Sequence, residues 1–158
     1  MRRFSISMLG AALLVILAGG CKANPPGNLE TSLVTGAKRN IFVGNKAQRN
    51  PLKDDAATTA DGKEAFSHYC AACHGLDGQN TGVPFADRMS PPVPLLSSKN
   101  VQAYTDGQLK WVIDNGLWPS GMPGSKDVLS DDEIWSIVVY LRHLPPAGSL
   151  GEPEMYSH

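Results

Sequence analysis

The chain has 158 residues, room for one ordinary domain and its appendages. Apolar residues make up 42% and charged residues 18%, which is compatible with a folded soluble core. The formal charge of −1 excludes the strongly basic balance of a nucleic-acid binder.

The N-terminus reads as a leader. Arg2 and Arg3 precede an apolar run from Met8 to Leu17, and small residues follow in "AGGC", ending at Cys21. A basic region, an apolar stretch and small residues predict a signal peptide over 1–20. The run falls short of the about 20 residues that span a bilayer. Ser5 and Ser7 could lengthen it, so an uncleaved anchor stays open. The Arg2-Arg3 pair suggests a twin-arginine signal, but its neighbours match that motif poorly. "LAGGC" resembles a bacterial lipoprotein signal, in which the mature chain starts at a lipid-modified cysteine. Ala18 stands where that family usually has leucine, with Leu17 one place further back. Two readings of Cys21 follow: a lipid attachment point, or an odd thiol left by ordinary cleavage. Several acyl chains on one cysteine anchor stably where one does not. Loss of Arg2 and Arg3 takes the basic count from 14 to 12 against 15 acidic residues, a formal −3.

Residues 21–60 read as a tether. Large apolar residues are sparse, and "NPPGN" at 24–28 suits neither helix nor central strand. Lys38, Arg39, Lys46, Arg49 and Lys53 carry positive charge with no acid among them. The plain reading is a solvated linker; the sharper one is a basic arm for an acidic partner or anionic headgroups. "NIFVGN" at 40–45 predicts a short strand or packed turn.

The folded part is expected over 61–145, as three main helices joined by long loops. Asp61 with Glu64 makes a capping-box pattern for the first helix, and Gly62, Phe66, Tyr69 and Cys73 share a face. Thr105 with Gln108 opens a second helix, striped by Leu109, Val112 and Ile113 and stopped at Gly116. Ser130 with Glu133 opens a third, with Asp131 and Asp132 also at its positive end. Ile134, Ile137, Val138 and Leu141 line that helix, and Pro145-Pro146 ends it. Proline-rich "GVPFADRMSPPVPLL" between the first two helices reads as irregular. Residues 146–158 read as a polar tail. No alternating strand pattern appears, so the class is all-α. A core this small, in long loops, leaves a hole that side chains alone fill poorly.

"CAACHG" at 70–75 suggests what fills it. Cys70, Cys73 and His74 offer three ligands at most, short of a structural zinc site. A thiol–disulfide motif belongs to a strand–helix–strand pattern, which is missing here. A disulfide across two intervening residues closes too small a loop to stabilise much. Covalent haem attachment uses all three: the thiols add to two vinyl groups, and the adjacent histidine reaches the iron. C-x-x-C-H is a specific signal for a c-type haem.

A second axial ligand is then needed. Met1 and Met8 leave with the leader; Met155 and His158 belong to the tail. His68 lies too near the first helix's end, with a solvated or capping role, and His143 suits the negative end of the third helix. Met122 in "PSGMPGS" follows His74 by 48 positions, between glycines that let backbone approach a ring. Met89 follows by only 15, and its plain role is packing against the ring edge. Met122 is therefore the preferred ligand, and a thioether there favours ferrous iron. Trp111 and Trp135 read as core or ring packing, while Trp118 is placed to wall the pocket.

"GKEAFSHYCAACHG", "SGMPG" and "LSDDEIWSIVVYLRHL" together resemble a class I mono-haem c-type cytochrome over 61–144. The resemblance implies a small fold around one covalently bound haem. Its first and last helices cross, with Gly62 and Phe66 against Tyr140 and Leu141. It also implies a proline carbonyl that orients the ligand histidine, for which Pro84, Pro91, Pro92 and Pro94 compete. The function implied is electron transfer, not catalysis, with redox partners of a respiratory chain or dehydrogenase. The expected setting is the periplasmic side, membrane-anchored through Cys21 or soluble. A haem-bearing subunit of a larger complex and a haem-based gas sensor are the alternatives.

Overall fold

A computed structural model describes residues 36–37, 43–118 and 120–146. These lie in one compact unit, 33–158. The leader, Cys21, Lys38, Arg39 and most of the tail lie outside the described residues.

Five α-helices lie wholly within the described residues, in order: α1 Ala56–Tyr69, α2 Ala71–His74, α3 Lys99–Gln102, α4 Asp106–Asn115 and α5 Asp131–Arg142. A 3-10 turn spans Ala86–Arg88. No strand occurs among the described residues; one isolated bridge pairs Leu117 with Met122. The expected all-α class holds, and no described helix is long and apolar enough to cross a membrane.

The caps of α4 and α5 form as their sequences predict. Thr105 Oγ1 accepts from Gln108 N while Gln108 Oε1 accepts from Thr105 N, and Gly116 closes α4 at φ 71°. Ser130 and Glu133 exchange the same pair of bonds at the start of α5. The predicted stripe of α5 is buried: Ile134, Ile137, Val138 and Leu141 are all 5% exposed or less.

Helix α1 starts earlier than predicted. Its cap is Asp55, whose carboxylate accepts from Thr58 N at 2.9 Å, and Asp61 lies inside the helix. Ala56, Ala57 and Ala60 are strong helix formers, so nothing stops the helix from extending back to that cap. The predicted face also breaks. Gly62 and Phe66 are buried, but Tyr69 is 53% exposed, because α1 ends there and Cys70 starts a new turn.

The tether expected over 21–60 gives way to packed chain from Val43 onward. Of "NIFVGN", the described residues 43–45 form part of a packed turn rather than a strand. Val43 is buried, Gly44 lies against the Trp111 ring, and Asn45 takes the left-handed conformation at φ 59°. Thr105 Oγ1 donates to Lys46 O, and Asn50 Nδ2 donates to Trp135 O at 3.0 Å. Leu52 packs on the apolar cluster. These contacts are nonlocal, so a reading by local composition missed them.

The core is the crossing of α1 and α5. Phe66 meets Tyr140 with ring centroids 5.3 Å apart at 55°. Gly62 sits one turn away from where the resemblance put it, against Ser136 and Ile137, and a Cβ there would collide with the Ser136 carbonyl. Helix α4 packs on α5 around Lys110. Burial disfavours the Lys110 charge, but bonds to Asp114 and Asp131, both reaching 2.8 Å, more than offset it and raise its pKa. Its ammonium also stands 5.7 Å from the Trp135 ring centroid. At the far end Arg142 donates to Asp106, Gln102 and Tyr104 O, fastening α5 to the α3–α4 corner. Helix α5 stops at the His143 cap, two residues before Pro145, where His143 pairs with Asp54.

Gly62→Ala is expected to cost about 3 kcal/mol of stability, because both colliding groups are backbone. Denaturant unfolding monitored by circular dichroism measures this, and an unchanged midpoint would contradict the close crossing. Bonds from Thr58 lower the Asp55 pKa, and bonds from Ser130 lower that of Glu133. Both groups therefore contribute stability above their ordinary values of 3.8 and 4.5, and lose it as pH falls. Ser130→Ala should cost about 1 kcal/mol at neutral pH and flatten the acid limb of stability against pH.

Candidate functional site

Cys70, Cys73 and His74 come together at the end of α1 because the chain turns again there. Cys73 N and His74 N both donate to Cys70 O, at 3.1 and 3.0 Å. Cys70 is half-buried and Cys73 exposed, and neither is in a disulfide. Burial, and secondarily Cys73, push the Cys70 thiol up to about 11, so it is protonated at neutral pH. Gly75 ends the turn at φ 70° with no room for a Cβ beside Thr81 and Asp77.

Burial lowers the pKa of His74, and the Pro94 carbonyl restores only part of the loss, so the ring is neutral at pH 7. Its Nδ1 is buried with no acceptor at full hydrogen-bond geometry. The Pro94 carbonyl favours the protonated ring; a proton held on Nδ1 toward it would leave Nε2 free to ligate a metal. Among the four competing prolines, Pro94 is thus the one that acts on His74. Its position follows from the loop around it: Asn80 N donates to His74 O, Asn80 Nδ2 donates to Val93 O at 2.7 Å, and Leu96 N donates to Gly78 O. Asp77, also buried, holds the same loop by accepting from Gln79 N and Thr81 Oγ1. Asn80 and Asp77 were not singled out from sequence; "LDGQN" signals a turn but not which carbonyl the turn will serve.

Met122 is half-buried and packs on the same apolar cluster as Cys70 and Ala71. Its loop is held by Leu117 N donating to Met122 O at 3.1 Å, and by Ser125 N donating to Ile113 O. A Cβ on Gly116 would strike the Met122 carbonyl, and one on Gly124 would reach 2.6 Å from Asp114 O. The two glycines therefore permit a tight loop. Met89 is half-buried too, with its Cε beside Gly121.

The other candidates separate from this group. His68 is exposed and lines a cleft between α1 and α5 with Asp61, Glu64, Asp132 and Glu133. His143 is committed to Asp54 at 2.5 Å. Trp135 is buried and Trp111 half-buried, as expected of packing residues. Trp118 is 94% exposed, in the turn closed by the Leu117–Met122 bridge. Phe85 and Leu95 keep 45% and 39% of their surface exposed, next to the loop that carries Pro94. Among the described residues no three His, Cys, Asp or Glu side chains cluster to hold a bare metal ion. Two free thiols, a neutral imidazole, a thioether on the same cluster and uncovered apolar side chains fit a porphyrin instead.

Residues 57–141 match the family described as cytochrome c oxidase, cbb3-type, subunit III. Cytochrome c6 of Cladophora glomerata is 34% identical over 92 residues, which cover 55% of this chain and 89% of that protein. A chain of the reducing HAO-like protein complex of Kuenenia stuttgartiensis is similar in structure, with a TM-score of 0.50 and 25% identity. That likeness covers 60% of this chain and 46% of the solved one, so this chain spans less than half of its length. The chain belongs to the family of cytochrome c oxidase cbb3-type subunit III, and is a c-type cytochrome that serves haem-based electron transfer.

Proposed function

We propose that Cys70 and Cys73 hold one haem c by thioether bonds, with His74 and Met122 as its axial ligands. The observation that carries this reading is the single turn that brings two free thiols and the half-buried His74 imidazole together, with Cys73 N and His74 N both donating to Cys70 O. When bound, haem c supplies one-electron exchange between ferrous and ferric iron. The residues do the rest. Pro94 O, which favours the protonated ring, would take a proton on Nδ1 and leave Nε2 for the iron. The glycine-lined loop presents the Met122 thioether, which favours the ferrous state. The apolar cluster, with Phe85 and Leu95, keeps water from the site. With both axial positions filled there is no open position for a substrate, so the protein is read as a carrier and not an enzyme.

Export and anchoring belong to the same proposal. A leader over 1–20 and a lipid on Cys21 put the electron-transfer domain on the periplasmic side, joined to a membrane through the stretch that follows. Its partners are redox proteins of a respiratory chain or a dehydrogenase. A second reading, a haem-bearing subunit fixed in a larger complex, is favoured by the name of the matching family and by the complex from Kuenenia stuttgartiensis. Co-purification from native membranes separates the two: a stable stoichiometric assembly supports the subunit, an isolated protein the mobile carrier.

Matured with a haem-attachment system, the protein should keep its haem through denaturation and extraction. Its ferric form should show the sulfur-to-iron charge-transfer band. Met122→Ala should abolish the band and lower the potential by on the order of 0.1 V, within the roughly 0.8 V that axial ligands span. Haem that washes away from the wild type would end the attachment reading. Carbon monoxide binding to the native reduced protein would support a gas sensor. In a second experiment, Cys21→Ser should move the full-length protein from the membrane to the soluble fraction and remove fatty-acid labelling. Labelling that persists in the variant would refute lipidation at Cys21.

A further inference from the structure

Met89 stands at the end of the 3-10 turn, in a loop fastened to the histidine side of the site. Asn80 N donates to the carbonyl of His74 itself at 2.9 Å, Asn80 Nδ2 donates to Val93 O at 2.7 Å, and Val93 N donates to Ala86 O at 3.0 Å. The backbone around Met89 is therefore pegged to the His74 turn. The tip of its side chain points elsewhere. A Cβ built on Gly121 would lie 3.4 Å from Met89 Cε, so the Met89 methyl stands beside the space over the residue just before Met122. Gly121 is exposed, sits at φ 81°, and has no side chain with which to make a contact of its own.

The loop's hydrogen bonds point another way. Leu117 N to Met122 O and Met122 N to Ser120 Oγ lie within the loop, and Ser125 N and Lys126 N fasten it to α4. They fix Met122 relative to α4, while Met89 links its loop to the histidine side. Methionine suits this role: its unbranched thioether fills an irregular gap between two separately held loops.

We propose that Met89 is a positioning residue that holds the Met122 loop against the histidine side and so keeps the Met122 thioether in place. The inference rests on the reading of His74 and Met122 as axial ligands.

The test compares haem-loaded wild type, Met89→Ala, Met89→Leu and Met122→Ala. The readouts are the ferric charge-transfer band, carbon monoxide binding to the reduced form, and helical content. Met89→Ala is expected to keep its haem and helices, weaken the band, and raise the carbon monoxide-reactive fraction about tenfold. Met89→Leu, which restores the volume, should behave as wild type. If Met89→Ala fails to retain haem, Met89→Val gives the same comparison with a smaller loss of volume. A wild-type band and unchanged carbon monoxide reactivity in Met89→Ala overturn the proposal. So does Met89→Leu as open as Met89→Ala, because the thioether and not its packing would then matter. A wild type without the band, or Met122→Ala that keeps it, instead overturns the ligand assignment beneath.

Discussion

The close crossing of α1 and α5 is the contact on which the rest of the molecule depends. Gly62 lets the α1 backbone meet the Ser136 carbonyl, which brings Phe66 under Tyr140 and closes the apolar cluster. Cys70 lies two turns beyond Gly62 on the same rod, so the crossing also fixes where the thiols emerge. Among the described residues no second layer of helices corrects an error at this point. Small domains bury a modest fraction of their surface, and one misplaced helix pair removes a large share of it.

From the crossing outward, order is carried by polar contacts more than by packing. The loop after His74 has little regular structure, yet Asp77, Asn80, Val93 and Leu96 tie it at successive points. Arg142 and Gln102 do the same for the corner between α3 and α4, where Gln102 Nε2 donates to both Leu96 O and Leu141 O. Side-chain bonds to backbone carbonyls are an economical way to shape long loops, since each satisfies a buried group that the loop cannot satisfy itself.

What could be read from the sequence was local. The caps at Thr105 and Ser130 declare themselves within four residues, and the α5 stripe within eight. Cys70, Cys73 and His74 are legible for the same reason: one turn of chain brings them together without help from the fold. The start of α1 was misread because Asp61 and Glu64 satisfy the same pattern as a true cap, while Asp55 and Thr58 satisfy it less completely. Helices α2 and α3, with four residues each, are too short to show a period. Pro94 could not be told from its three neighbours, since loop closure over Gly78 and Asn80 decides which carbonyl faces His74. The packed arm from Val43 was hidden because its partners, Trp111 and Trp135, lie far along the chain.

That arm has a mechanical consequence. A pull arriving from the N-terminal side meets the Val43–Leu52 stretch before it reaches α1. The stretch grips α4 through Gly44 on Trp111 and Lys46 on Thr105, and grips α5 through Asn50 on Trp135. Load is thus shunted into the two helices on the far side of the core, and α1 is spared tension until those grips yield. The turn that bears Cys70 and Cys73 sits behind this strain relief, as a soldered joint sits behind a cable clamp.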